Sequence, residues 1–361
     1  MQGTSKEVVS LKNVFRFGGA YVAVVIGSGF ATGQEIMQFF TAYGLRSIPA
    51  IFISMAGFAF IGAVLIRFGY TNRHNENIDP FKHFCGKYFG KFLEWFIPTF
   101  CFMVLVVMIS GSGATINQYF GVPHIYGALF MAIVTLIVGF FSLNKIVDIV
   151  GTLGPLTIIF TLGISIAVLI KNPSSLANIS DRISNIDVPM STPSKNLWWF
   201  SGILYVAYNI VCSLPFLVEM GKTANSKKEA ALGGVFGGVL LMLSGLMLNF
   251  ALLSHIEDVY LLEIPNLYLT DLLTPILSFV FSLILIDEIF STAVPMAWTS
   301  ANKFGGADGT IKNKITILIL CVSAFFLGQL PFGVLVGTIY PYTGYLGIAM
   351  LIMITAASFR D

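Results

Sequence analysis

The chain has 361 residues, 56% of them hydrophobic and only 11% charged, with a mean hydropathy of +0.84. Soluble domains carry about 25% charged residues, so a water-soluble protein of this length is excluded and the chain belongs in a lipid bilayer. The net charge of +2 is too small to imply a nucleic-acid partner, and four scattered cysteines, Cys85, Cys101, Cys212 and Cys321, give no disulfide framework.

A bilayer core of about 30 Å needs roughly 20 apolar helical residues. In chain order, runs that meet this fall at about 17–34, 48–66, 95–120, 123–143, 149–170, 196–218 and 230–254. An eighth, about 272–302, is interrupted by Asp287 and Glu288. From Ile315 to Phe359 no charge occurs, about twice the length of one span. Gly328, Pro331 and Gly333 offer a turn that divides this stretch in two. The expected architecture is therefore all-α: ten transmembrane helices in a single domain over 1–361. The period-2 alternation of barrel strands is missing.

Charge fixes the orientation. With the N-terminus inside, sixteen of the 20 Lys and Arg fall in inside segments; Arg46, Lys171, Arg182 and Lys195 fall outside. That bias is the positive-inside pattern, and it predicts a multi-pass cell-membrane protein with both termini cytoplasmic. The first run is not read as a cleaved signal peptide, because it is long and carries Gln34 and Glu35 at its end. The basic 67–94 loop is expected to hold a short surface helix around Pro80–Lys91, and the 171–195 loop an irregular outer cap.

The first span contains Gly27-Ser28-Gly29-Phe30-Ala31-Thr32-Gly33. Three glycines in seven residues weaken a helix, each by about 1 kcal/mol relative to alanine, and freed backbone groups in lipid must find partners in protein or a wet cavity. Close helix packing through Gly29 and Gly33 is the plainer alternative. The sixth span, Tyr205 to Pro215, sets Asn209, Ser213 and Pro215 in an apolar run and is expected to be interrupted too. Two broken helices five spans apart imply inverted halves, about 14–170 and 196–358, the pattern of secondary transporters.

This plan of five plus five spans resembles the LeuT fold, and Gly27-Ser28-Gly29 resembles the break of the amino acid–polyamine–organocation superfamily. Within that group, Gly27 to Ile36 (GSGFATGQEI) is similar to a family of bacterial membrane proteins labelled YkvI-like. Unwinding would bare backbone N–H groups that attract an anion, and the resemblance implies that this turn holds a substrate carboxylate. The candidate substrate-binding residues are therefore Gly27, Ser28, Gly29, Phe30 and Thr32, with Tyr205, Tyr208 and Asn209 across the cavity. The tyrosines also fit ordinary packing.

The resemblance further implies a sodium site. Ser291-Thr292 matches an adjacent hydroxyl pair, completed by the carbonyl of Glu288 and carbonyls around Val25 and Ser28. Hydroxyls in membrane helices also serve as plain interhelical hydrogen-bond formers, and proton coupling is the alternative. Intramembrane carboxylates cost a few kcal/mol each and are functional candidates. Glu35, Asp287 and Glu288 are assigned to coupling or gating, Glu35 on the outer half of span one, whereas Glu219 near Lys222–Lys228 reads as solvated. Lys145, at the edge of span five, reads as a snorkelling topology charge rather than a substitute for sodium.

An intramembrane enzyme is disfavoured: no HExxH, GxSxG or CxxC motif occurs. A channel would show filter repeats or charge rings. A non-transporting receptor or scaffold is the remaining rival. The sequence therefore predicts a secondary active transporter of a small carboxylate-bearing solute, an amino acid or related organic amine, coupled to sodium. A nucleobase is the alternative substrate. No cofactor is called for beyond a bound sodium ion, and nothing in the sequence sets an oligomeric state.

Overall fold

The computed structural model describes residues 9–75, 78–141, 154–171, 176 and 178–360. The Lys145–Asp148 stretch lies outside the described residues.

The chain begins with α1 (Leu11–Val25), α2 (Ser28–Thr32) and α3 (Gln34–Phe39), then a 3-10 turn, Thr41–Arg46, leading into α4 (Ser47–Thr71). α5 (Pro80–Phe120) and α6 (His124–Gly139) follow, then α7 (Gly154–Lys171) and the short α8 (Ile179–Ser184). The second half holds α9 (Trp198–Lys222), α10 (Lys227–Ser254), α11 (Ile256–Val259), α12 (Pro265–Asp271), α13 (Pro275–Gly305), α14 (Ile311–Leu327) and α15 (Phe332–Ser358). Among the described residues, six helical stretches are long and apolar enough to cross a membrane: Thr41–Thr71, Pro80–Phe120, Lys195–Lys222, Lys227–Ser254, Pro275–Gly305 and Phe332–Ser358.

Sequence punctuation accounts for most boundaries. Asp79 accepts hydrogen bonds from the Phe81 and Lys82 amides, with Pro80 at the first helical position, so α5 starts where the surface helix was expected. That surface piece ends at Gly86, whose φ of 74° bends the chain, and the remainder continues directly into the third span. α14 stops at Leu327 and α15 starts at Phe332, the turn anticipated from Gly328 and Pro331. Ser226 caps α10 through the Glu229 amide (3.1 Å). The Glu229 carboxylate in turn receives the Ser10 N–H (2.9 Å) and the Asn13 side chain (3.1 Å), clamping the start of α1 to the start of α10. That clamp is not legible from the residues alone, because its partners lie about 216 positions apart in the chain.

The centre of the bundle is α1, α4, α9 and α10. Gly234 and Gly238 of α10 lie against the α4 backbone at Gly62–Ala63 and Phe58–Ala59, where any side chain would collide. Gly233 and Gly237 face Phe17 and Tyr21 of α1. The double small-residue stripe in the seventh run is thus a packing surface that lets three backbones approach.

One expectation is overturned. The sixth span is not discontinuous: α9 runs unbroken from Trp198 to Lys222 with Pro215 inside it. Proline removes one backbone donor but does not by itself require the chain to leave the helix, and membrane helices accommodate it. No glycine lies between Gly202 and Gly221 to favour a reversal of φ.

Candidate functional site

The first span is interrupted twice. α1 closes at Val25, where the Ile26 N–H still bonds the Val22 carbonyl (2.8 Å), and Ile26 and Gly27 then adopt extended backbone. α2 occupies only Ser28–Thr32 before Gly33 turns left-handed (φ 87°, ψ −8°) and α3 begins. The two breaks have different causes. Gly27 has a φ of −104°, open to any residue, whereas Gly33 holds a conformation that side chains resist.

Several groups around the breaks have partners. The Ala31 carbonyl takes the Asn266 Nδ2 from α12 (2.6 Å). Thr32 Oγ1 donates to the Gly29 carbonyl (2.9 Å), and Ser28 Oγ donates to the Met108 sulfur of α5 (2.7 Å). Ser28, Phe30 and Thr32 are all buried.

Glu35 is the centre of the arrangement. It is 4% exposed, and α3 folds its carboxylate back over Gly29, where an added Cβ would collide with Oε1. The other oxygen, Oε2, accepts the Tyr208 hydroxyl at 2.5 Å and the Tyr205 hydroxyl at 3.4 Å, both from α9. Aromatic rings surround the three groups. Phe39 lies 5.4 Å from Tyr205 and 5.5 Å from Tyr208, and Tyr340 of α15 stacks on Tyr208 at 4.9 Å. Among the described residues no lysine, arginine or histidine pairs with Glu35.

α2 has five residues, too few for a substantial helix dipole, and the carboxylate over its glycine belongs to the protein. Glu35, expected to act in coupling or gating, lies against Gly29, Tyr205 and Tyr208 of the expected substrate segments. The Asn209 amide donates to the Tyr205 carbonyl of its own helix (2.9 Å).

On α13, which packs against α2, the hydroxyls of Ser291 (2.9 Å) and Thr292 (3.1 Å) both donate to the Glu288 carbonyl. Both are bonds to the preceding turn of the same helix, and Val25 and Ser28 lie at the first break. The Glu288 side chain is buried; Asp287 is half-buried with no hydrogen-bond or ion-pair partner among the described residues.

Gln34 and Gln38, also on α3, line a cavity of about 370 Å³ shared with Tyr260, Glu263, Gly333 and Gly337. Oε1 of both glutamines is buried without a hydrogen-bond partner. Glu263, in the connection before α12, accepts the Phe332 N–H (2.9 Å), and burial pushes its carboxyl above the usual range.

Sequence reasoning missed Met108, Asn266, Phe39 and Tyr340. Tyr340-Pro341 in the middle of an apolar run was a usable signal, of the same kind as the Pro215 segment. Asn266 carried none, since only the folded connection brings it 235 residues back to Ala31.

No family model matches the chain. It is 28% identical over 341 residues to the uncharacterized membrane protein YkvI of Bacillus subtilis (strain 168), covering 92% of each chain. The uncharacterized protein YyaD of the same organism is 23% identical over 328 residues, covering 91% of this chain and 92% of that one. Among solved structures, a manganese transporter of Eremococcus coleocola superposes with a TM-score of 0.54 at 12% identity, over 99% of this chain and 90% of the other. Mhp1 in its inward-facing conformation gives 0.57 at 11% identity, over 94% and 75%. The resemblance read from the first-span motif thus extends over nearly the whole chain, and the fold is that of the LeuT-type transporters. The chain is a multi-pass membrane protein, and none of these relatives is described as an enzyme.

Proposed function

We propose that the chain is a secondary active transporter moving a small solute by alternating access. One observation carries this reading: a doubly interrupted first span, set between the hydroxyl pair of α13 and the tyrosines of α9. Irregular backbone within a membrane bundle marks a cavity or pathway rather than scaffold, and ligand sites of secondary transporters are built at such interruptions. The shared fold of Mhp1 and the manganese transporter supports it.

The ten-span plan with inverted halves belongs to the same proposal. Its support is the packing pattern: α1 lies on α10 as α4 lies on α9, and α5 lies on α13. Exchanging each span with the one five positions later reproduces these contacts. The lysine and arginine bias puts both termini on the cytoplasmic side of the cell membrane.

Sodium is the proposed driving ion, held by the Ser291 and Thr292 hydroxyls, the Glu288 carbonyl and carbonyls at Val25 and Ser28. Hard oxygen donors suit it. Manganese does not carry over from the structural neighbour, since no group of three or more His, Cys, Asp or Glu side chains converges among the described residues. Proton coupling through Glu35 is the second reading, favoured by the burial of that carboxyl.

Two measurements test the proposal. Purified protein in detergent should melt higher in sodium than in potassium or choline. Proteoliposomes should accumulate solute only under an inward sodium gradient. Uptake driven equally well by a pH gradient in sodium-free buffer would transfer the coupling role to protons.

A further inference from the structure

We infer that the cytoplasmic end of the bundle holds a binding site for a phosphate group, supplied by the headgroup of an anionic phospholipid and bound by Arg67 of α4 and Lys227 of α10. The site is separate from the broken first span and stands whatever the transported solute is.

A cavity of about 290 Å³ opens where four elements meet. Arg67, Thr71 and Asn72 come from the end of α4, Lys227 from the start of α10 and Ser358 from the end of α15. His83 and Phe84 come from the surface piece that opens α5. This is the end that the lysine and arginine bias assigns to the cytoplasm, where anionic lipids give the leaflet a negative surface potential.

The charge in the lining is one-sided. Arg67 and Lys227 both line the cavity, and among the described residues no aspartate or glutamate does. Two like charges on one cavity repel each other, and an anion between them offsets that repulsion. Neither side chain has an ion-pair partner among the described residues. Carboxylates on the neighbouring turns are engaged elsewhere. Asp79 and Glu94 hold Lys82, and Glu229, two residues past Lys227, accepts from Ser10, Asn13 and Asn225.

The available donors match phosphate oxygens. Arg67 offers a planar fork of N–H groups and Lys227 three rotatable ones. Asn72 spends one amide hydrogen on the Phe68 carbonyl (3.0 Å) and keeps a second. Thr71 and Ser358 donate their hydroxyl hydrogens to the Arg67 and Thr355 carbonyls, so the two cations and Asn72 carry the recognition.

The rest of the lining decides the source of the phosphate. Val64, one turn deeper into the bilayer on α4, forms an apolar wall with Phe68 and Phe84. A free phosphate ion has no use for such a wall, whereas a phospholipid sets its glycerol and first acyl carbons against it. Past Gly86, Tyr88, Phe92 and Trp95 of α5 are exposed, and aromatic residues of this kind gather at headgroup depth.

The test is the melting temperature of the purified full chain at fixed ionic strength in three media. These are detergent micelles doped with phosphatidylglycerol, the same micelles with phosphatidylcholine at equal mole fraction, and lipid-free micelles with inorganic phosphate. Phosphatidylglycerol should raise the melting temperature by a few degrees, and phosphatidylcholine, whose choline neutralises its own phosphate, should not. Arg67→Gln and Lys227→Gln change exposed side chains outside the solute site. Each should raise the phosphatidylglycerol needed for a half-maximal shift about fivefold, the loss expected for one basic residue at an anionic surface. Lys312→Gln, at the start of α14 on the same side, should leave the shift unchanged. Equal shifts with the two lipids, a phosphatidylglycerol shift that survives both substitutions, or an equal loss in Lys312→Gln overturns the site. A shift with inorganic phosphate alone that both substitutions abolish would support the phosphate site and overturn the lipid as its source.

Discussion

The first and sixth spans look alike in sequence, each setting helix-disturbing residues in an apolar run, yet only the first breaks. α9 absorbs Pro215 within 25 continuous helical residues, while the first span is divided into three pieces by Gly27 and Gly33. The difference lies in what each disturbance demands. Proline deletes a donor and preserves a helical φ. A left-handed glycine reverses the chain direction, and the freed Ala31 carbonyl must then be met by a partner, here Asn266. The broken span thereby turns α3 and brings Glu35 back over Gly29, and the continuous one supplies the rigid wall of tyrosines that Glu35 meets.

That contrast can be broken or sharpened by substitution. Gly33→Ala should have the largest effect, costing about 2–3 kcal/mol, because alanine resists the left-handed backbone and its Cβ would press on Asn266 Oδ1, 2.6 Å away. Denaturant or thermal unfolding in detergent measures it. Tyr208→Phe removes a hydrogen bond to a carboxylate, worth about 1.5–3 kcal/mol, and should appear mainly as lost ligand affinity. Replacing Ser291 and Thr292 together by alanine should cost little stability and abolish the difference in melting temperature between sodium and potassium. Sodium stabilisation that survives would remove the ion site from α13.

The two smallest effects discriminate most finely. Pro215→Ala restores one amide opposite the Val211 carbonyl and should stabilise the fold by about 1 kcal/mol with uptake unchanged. A large loss of uptake would show that the sixth span needs its proline to move. Gly27→Ala should fall within about 0.5 kcal/mol, since Gly27 has ordinary φ and no atom within 4 Å of an added Cβ. The most suggestive glycine in the sequence motif is thus expected to tolerate a methyl group that Gly33 rejects.

These residues also mark how far the sequence could be read. Hydropathy anticipated the six long apolar helices among the described residues, because bilayer thickness constrains helix length strongly. The 328–333 turn and the double glycine stripe of α10 were legible for the same reason: each follows from local chemistry. The site was legible only in part. Ser28, Gly29, Tyr205 and Tyr208 are drawn from the expected segments, but the direction in which Glu35 points depends on the φ of Gly33, which composition does not specify. Asn266 and Met108 come from elements 235 and 80 residues away, so their contacts exist only once the bundle has folded.

The most direct test of the account is the melting temperature of the purified full chain in detergent, in sodium against potassium, across a panel of amino acids, amines and nucleobases, comparing wild type with Glu35→Gln. The account predicts a rise of a few degrees in wild type with one solute class, larger in sodium than in potassium, and none in Glu35→Gln. Equal shifts in both proteins, or none in a folded wild type, would contradict the central claim that the broken first span and its carboxylate carry the solute.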